Sequence, residues 1–164
     1  MEMANPYQSM VSFQQGLLEG WLSLDLVRPY QDVFSYFDEP SKGEFRFSYV
    51  RLATDRKTVI AFVACLMNGE VDGCPCVSVS YAVPERLRNQ GLARQLLKDV
   101  ILDQAVQAGR AGHAAIHIEV VADVTNLASQ RVAEAVLSVA REGIADGVSG
   151  RPAYRYTSRV ATVS

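Results

Sequence analysis

The stretch richest in chemistry is Tyr81-Ala82-Val83-Pro84-Glu85-Arg86-Leu87-Arg88-Asn89-Gln90-Gly91-Leu92-Ala93. Apolar alternation stops at Pro84, a polar loop follows, and a helical apolar pattern begins at Leu92. The first turn of a helix leaves backbone N–H groups unpaired and carries partial positive charge. Gly91 lets the main chain approach a ligand, Ala93 keeps the first turn uncluttered, and Arg88 can add charge-assisted hydrogen bonds to a diphosphate. Together these residues make an anion cradle. A plain loop and helix start would carry the same single glycine, so that alternative stays open. The Gly-Lys-Ser/Thr ending of a Walker loop is absent, and so is the glycine triplet of a dinucleotide fingerprint.

The second chemical feature is a carboxylate in an apolar strand. Ala114 to Val121 reads as a strand whose β-branched run suggests burial on both faces, as in parallel pairing. Strand alternation puts His117, Glu119 and Val121 on one side. Glu119 there is either a working group or a structural carboxylate paired with an arginine. Histidine is a side-chain type suited to proton transfer, and His117 is equally readable as a satisfied structural residue. The thiols are Cys65, Cys74 and Cys76, an odd number and a poor disulfide framework. Cys74-Pro75-Cys76 is too short for a zinc knuckle and no second ligand pair follows, so no metal site is expected. Nothing nearby poises either of these two thiols as a nucleophile.

The elements that must hold these residues follow from periodicity. Phe13, Leu17, Leu18, Trp21 and Leu22 recur at helical spacing, interrupted by Gly16 and Gly20. A second short helix is predicted to carry Val33, Phe34 and Phe37 and to end at Pro40-Ser41-Lys42-Gly43. Phe45, Phe47 and Tyr49 alternate as a strand, Asp55-Arg56-Lys57 turns, and Val59 to Leu66 is a second strand. Asn68-Gly69 and Asp72-Gly73 are turn pairs, and Cys76 to Val83 is a third strand in an antiparallel meander. A helix runs from Leu92 and is stopped by Gly109. Another runs from Asn126 to Ala140, capped by Asp123 or Thr125, with Ala128, Val132, Ala135, Val136 and Val139 inside. Ala153 to Val163 is a final strand. The class is mixed α/β.

The chain has 164 residues, the size of one domain, and an apolar fraction of 49% supplies a core. A mean hydropathy of +0.04 leaves room for an apolar groove or for a subunit contact in a homodimer. With 16 basic and 18 acidic residues the net charge is -2, which gives no general attraction to nucleic acid or anionic lipid. A local cluster of Arg86, Arg88 and Arg94 remains. No run approaches the roughly 20 apolar residues of a membrane span, and Met1 to Pro6 lacks the features of a signal peptide. With reduced thiols, the expected location is the cytoplasm.

Arg88-Asn89-Gln90-Gly91-Leu92-Ala93 resembles the Arg/Gln-x-x-Gly-x-Gly/Ala signature of the GNAT superfamily of N-acetyltransferases. Asn126-Leu127-Ala128-Ser129-Gln130-Arg131-Val132 is similar to an Asn-x-x-Ser-x-x-Val element of its ribosomal-protein N-acetyltransferase branch. The resemblance covers residues 45–164 well and the first forty poorly. Pro84 to Gly91 is slightly long for the family, and the usual Gly-Phe pair is replaced near Ser138-Val139-Ala140. The resemblance implies a single-domain acyl-CoA N-acyltransferase fold over 1–164, a mixed central sheet flanked by helices. It divides that domain into a helical substrate-side segment, 1–44, and a cofactor-binding core, 45–164.

It further implies that acetyl-coenzyme A is the cofactor. Its diphosphate would lie on the amides and side chains of Arg88, Asn89, Gln90, Gly91, Leu92 and Ala93. Its pantetheine arm would lie on the main chain of Tyr81, Ala82 and Val83, with Asn126 and Ser129 beside it. Acetyl would pass to a primary amine of a small molecule or peptide by direct attack. Glu119 is the leading base, and Ser129, Tyr154 and Tyr156 are the candidates beside the thiol, with Tyr81 a further possible acid. Phe13, Trp21, Phe34, Tyr36 and Phe37 form either an acceptor wall or core. Two other functions fit the same residues: a non-catalytic coenzyme A-binding module, and a toxin-like enzyme that acetylates aminoacyl-tRNA.

Overall fold

The computed structural model describes residues 5–147 and 149–163. Met1 to Ala4, read above for a leader, lie outside the described residues, as do Val148 and Ser164. The chain is α/β with a mixed sheet of eight strands, and it resolves into two compact units. One comprises residues 5–66 together with Ser80–Val100; the other comprises Met67–Val79 together with the described residues from Ile101 onward.

The first unit begins with helix α1, Pro6–Leu18. Asn5 caps it, its side-chain oxygen accepting from the amides of Tyr7 (3.1 Å) and Gln8 (3.4 Å), with Pro6 in the first turn. Met10 and Phe13 are buried with Val50, Leu52, Val59 and Phe62, and Phe13 meets the ring of Phe62 at 5.8 Å. Helical spacing predicts that Trp21 and Leu22 continue this helix, but it stops before them. Gly20 adopts φ +78°, and the amides of Gly20 and Trp21 return to the carbonyls of Leu17 and Gly16. That is a Schellman end, which needs a left-handed residue that glycine supplies without strain. Trp21 is left 76% exposed.

The second short helix is not formed. Val33–Ser41 is a strand, β2, flanked by the two-residue strand β1, Asp25–Leu26. Val33-Phe34-Ser35-Tyr36-Phe37 is β-branched and aromatic, and pairing with strand β3, Glu44–Leu52, outweighs the weak helical spacing. The Lys42-Gly43 pair turns the chain, and Pro40 falls where the register shifts between Asp38 and Ser41. Strand β4 is Val59–Val71 and pairs antiparallel with β3. Asn68-Gly69 therefore does not turn the chain; Asp72 (φ 52°) and Gly73 (φ 77°) do, the positive-φ pair of a tight hairpin. Arg51 of β3 is held by Asp99 (Nη2 to Oδ2, 2.6 Å), and its Nε lies 3.2 Å from Asp32 without a hydrogen-bonding angle.

Strand β5, Cys74–Ala82, and helix α2, Leu92–Arg110, run through both units. In the second unit β5 pairs in parallel with β6, Ala115–Asp123, through Cys76–Ser78 against His117–Glu119. Strand β8, Pro152–Ala161, pairs antiparallel with β6 along its length and with β7, Glu142–Ala145, a strand the sequence pattern does not announce. Gly109 does not stop α2. Gly112 (φ +90°) does, with His113 N–H returning to the Ala108 carbonyl. Gly109 is needed for another reason: a Cβ there would collide with the carbonyl oxygen of Val163. Helix α3 is Leu127–Leu137, shorter than expected, and its cap is Asn126 rather than Asp123 or Thr125. Its buried line is Gln130, Ala133 and Leu137, while Ala128 and Ala135 are exposed. Small apolar residues on both sides of this helix blur its phase. Gln130 can go inside because its amide donates to the carbonyls of Asp123 and Val124.

Candidate functional site

The anion cradle is built within the first unit. After β5 the chain makes a single 3₁₀ turn, Glu85–Leu87, closed by Leu87 N–H on the Pro84 carbonyl. Arg88 is extended, Asn89 adopts φ 63° and Gly91 φ 74°, and α2 begins with Gln95 N–H on the Gly91 carbonyl. Two left-handed residues within three positions, Asn89 and Gly91, give the loop the kind of conformation from which backbone amides form an anion nest. Arg88, Asn89, Gln90 and Gly91 are exposed, and Leu92 and Ala93 are half-buried. No acidic residue stands in the first turn of α2, so nothing in that turn competes with an incoming anion. A Cβ built on Gly91 meets no atom within 4 Å; the glycine is required by the handedness of the turn, not by crowding. Arg86 and Arg94 are exposed nearby in sequence, and the Arg88 guanidinium lies 5.6 Å from the centroid of the Tyr7 ring. At the end of β5, Tyr81 is buried and Ala82 and Val83 are half-buried. The loop thus fits a diphosphate: exposed main-chain donors, an open approach and cations without a competing carboxylate.

Glu119 lies in the second unit, half-buried on β6. Its hydrogen-bond partner is Ser78 of β5, whose Oγ donates to Oε1 at 3.4 Å and accepts from Asn68 Nδ2 at 3.2 Å. Among the described residues Glu119 forms no ion pair within 4.0 Å, although its charge still acts on Arg155 of β8, which is bonded first to Glu142. A weakly bonded, half-buried carboxylate keeps lone pairs for an incoming N–H donor. His117 shares that face and is buried, and its Nε2 has no hydrogen-bond partner. Cys76 is buried beside it in register; burial first, and the Glu119 charge second, push its thiol up. That shift disfavours the thiolate and any nucleophilic role.

The remaining predicted residues sit around α3. Asn126 Oδ1 accepts from the Ser129 amide at 3.0 Å, so the Asn-x-x-Ser spacing is at least a helix cap. Tyr156 has no exposed surface, and its hydroxyl donates to Glu134 Oε1 at 3.0 Å; burial, then the Glu134 bond, raise its pKa. Tyr154 is half-buried with the Arg141 guanidinium 4.1 Å from its ring centroid. The register pairs Glu119 with Thr157 and Val120 with Tyr156. Tyr154 and Tyr156 therefore lie on the opposite sheet face from Glu119. Ser78, Glu119 and His117 come together on one face; Tyr154 and Tyr156 come together on the other, which α3 covers. Ser78, Asn68 and Tyr7 are not singled out by sequence reasoning. Ser78 becomes visible only once the parallel register of β5 on β6 is known.

The family model described as the acetyltransferase (GNAT) family matches residues 12–137. No curated protein matches the chain. Among solved structures, an acetyltransferase of the GNAT family from Streptococcus pneumoniae is similar over 71% of this chain and 67% of its own, at 11% identity and TM-score 0.52. The ribosomal L7/L12 α-N-protein acetyltransferase RimL in complex with coenzyme A is similar over 70% and 62%, at 17% identity and TM-score 0.52. A ribosomal-protein-S5-alanine acetyltransferase from Vibrio fischeri is similar over 68% and 60%, at 18% identity and TM-score 0.52. The chain thus spans less than two thirds of the length of the last two. At these identities the likeness is one of fold.

Proposed function

Because the chain belongs to the acetyltransferase (GNAT) family, whose acetyl donor is acetyl-coenzyme A, we propose that it transfers acetyl to a primary amine of a small molecule or peptide. The cofactor supplies an activated thioester, so the protein's tasks are to hold it, to free the amine of its proton and to assist departure of the thiol. Amides of Gln90, Gly91, Leu92 and Ala93, with the Arg88 side chain and Asn89, hold the diphosphate. Main-chain groups of Tyr81, Ala82 and Val83 hold the arm, with Asn126 and Ser129 beside it. Glu119 accepts the proton of the attacking amine, directly or through water, with Ser78 steadying its Oε1. Ser129, in the first turn of α3, is the remaining candidate to assist the thiol, since the Tyr156 hydroxyl is committed to Glu134 and Tyr154 shares its sheet face, away from Glu119.

The observation that carries this reading is the exposed, twice left-handed loop leading into a helix start free of acidic residues. A peptide N-terminus heads the acceptor panel, since the neighbour bound to coenzyme A acts on a protein N-terminus. The proposed setting is the cytoplasm, in keeping with three free cysteines and with no described helix long and apolar enough to cross a membrane. The test is release of free thiol from acetyl-coenzyme A across peptides, polyamines and amino sugars. Turnover is expected with at least one class, and Glu119→Gln should lower kcat about 10²-fold or more while leaving coenzyme affinity near that of the parent. Tight coenzyme binding with no acceptor in any class would instead mark a non-catalytic module.

A further inference from the structure

We propose that Tyr7 is a positioning residue for the coenzyme: its ring holds the Arg88 guanidinium in place at the cradle before any ligand arrives. The inference rests on the reading of that loop as the diphosphate site. Arg88 is exposed and, among the described residues, forms no ion pair. Its recorded partner is the Tyr7 ring, 5.6 Å from guanidinium carbon to centroid. A cation on a ring is held through its face, and the five N–H donors of a guanidinium lie in its plane. A ring partner therefore restrains the group without forming the N–H to oxygen bonds that a carboxylate partner would consume.

The ring is itself well anchored. Tyr7 N–H is bonded to the Asn5 cap, Pro6 fixes the first turn, and the half-buried ring packs against the cluster that holds Met10 and Phe13 on β3 and β4. An unrestrained arginine loses rotamer freedom when it closes on a ligand; one already stacked has lost part of it beforehand. A helix some eighty residues away in sequence thereby contributes to coenzyme affinity without touching the coenzyme.

The experiment measures coenzyme A affinity by calorimetry for the full chain and for Tyr7→Leu, Tyr7→Phe, Arg88→Gln and the Tyr7→Leu/Arg88→Gln double variant. Leucine keeps apolar bulk against the core and removes the ring face; phenylalanine keeps the face. The expected result is a loss of about two- to fivefold for Tyr7→Leu, from the usual strength of an exposed cation–π pair. Tyr7→Phe should match the parent, and Tyr7→Leu should add no further loss once Arg88 is glutamine. An unchanged affinity in Tyr7→Leu, or an equal loss in both backgrounds, overturns the proposal. If Arg88→Gln itself leaves the affinity unchanged, the diphosphate reading of the loop fails, a different result from failure of Tyr7 alone.

Discussion

Asp55 is the single side chain whose protonation the structure ties most directly to local order. Its carboxylate accepts from the amides of Lys57 and Thr58 and from the Thr58 hydroxyl at 2.6–2.9 Å, which closes the turn between β3 and β4. These bonds, the hydroxyl first, lower its pKa from 3.8 to about 2. A depressed folded value means that the turn gains stability at any pH above about 3.8 and loses it as pH falls toward 2. A carbon-detected titration should place the Asp55 midpoint near 2, and Thr58→Ala should raise it. A midpoint at the ordinary carboxylate value in the parent would show that the turn does not hold its bonds in solution. Glu119, by contrast, accepts one long hydrogen bond, from Ser78, and feels Arg155 only through its charge.

At the scale of elements, the two helical glycines make opposite predictions. Gly16 in α1 would place a Cβ 3.3 Å from Leu22 Cδ1, the tip of a flexible side chain. Gly109 in α2 would place one against the backbone carbonyl of Val163, which cannot swing aside without moving the tail. Alanine in a helix interior gains about 1 kcal/mol over glycine. Overpacking costs about 1–3 kcal/mol. Gly16→Ala should therefore be neutral or slightly stabilising in urea unfolding, and Gly109→Ala should lose about 1 kcal/mol net. A Gly109→Ala protein as stable as the parent would mean the tail does not pack on α2 in solution. These glycines also show what the sequence made legible. A glycine near a predicted helix end looks the same whether it stops the helix or lets a neighbour approach, and only the tertiary partner, Val163, tells them apart. The loop from Pro84 to Ala93 was legible because its information is local: where alternation stops, where helical spacing starts, and which residue tolerates positive φ. Strands β3 to β6 and β8 were legible for the same reason, whereas the four-residue β7 was too short to show a period. Strand β2 was not, since a short aromatic run fits either period and its pairing with β3 decides. Nor were Ser78 and Tyr7, whose partners lie 41 and 81 residues away in sequence.

For the molecule as a whole, the charge balance sets which anions it can hold. A net charge of -2 from 16 basic and 18 acidic residues leaves no surplus field to gather a polyanion. Arg86, Arg88 and Arg94 stand around one loop, Arg46, Arg51, Arg141, Arg151 and Arg155 are each paired with a carboxylate, and the other basic residues are scattered along the chain. A compact diphosphate needs only that loop. A tRNA needs contacts spread over many phosphates, and each must be supplied by an available cation. One salt titration at near-neutral pH, with the coenzyme as reference, therefore tests whether tRNA is an acceptor. Coenzyme A should bind at physiological ionic strength and weaken only gradually as salt rises, because main-chain amides carry much of the load. Bulk tRNA, charged or uncharged, should show no retention at about 0.15 M salt by filter binding or mobility shift. Micromolar retention of tRNA under those conditions, reduced by Arg86→Ala and Arg94→Ala, would move the acceptor from small amines and peptides to aminoacyl-tRNA and would give those two arginines a role in holding the nucleic acid.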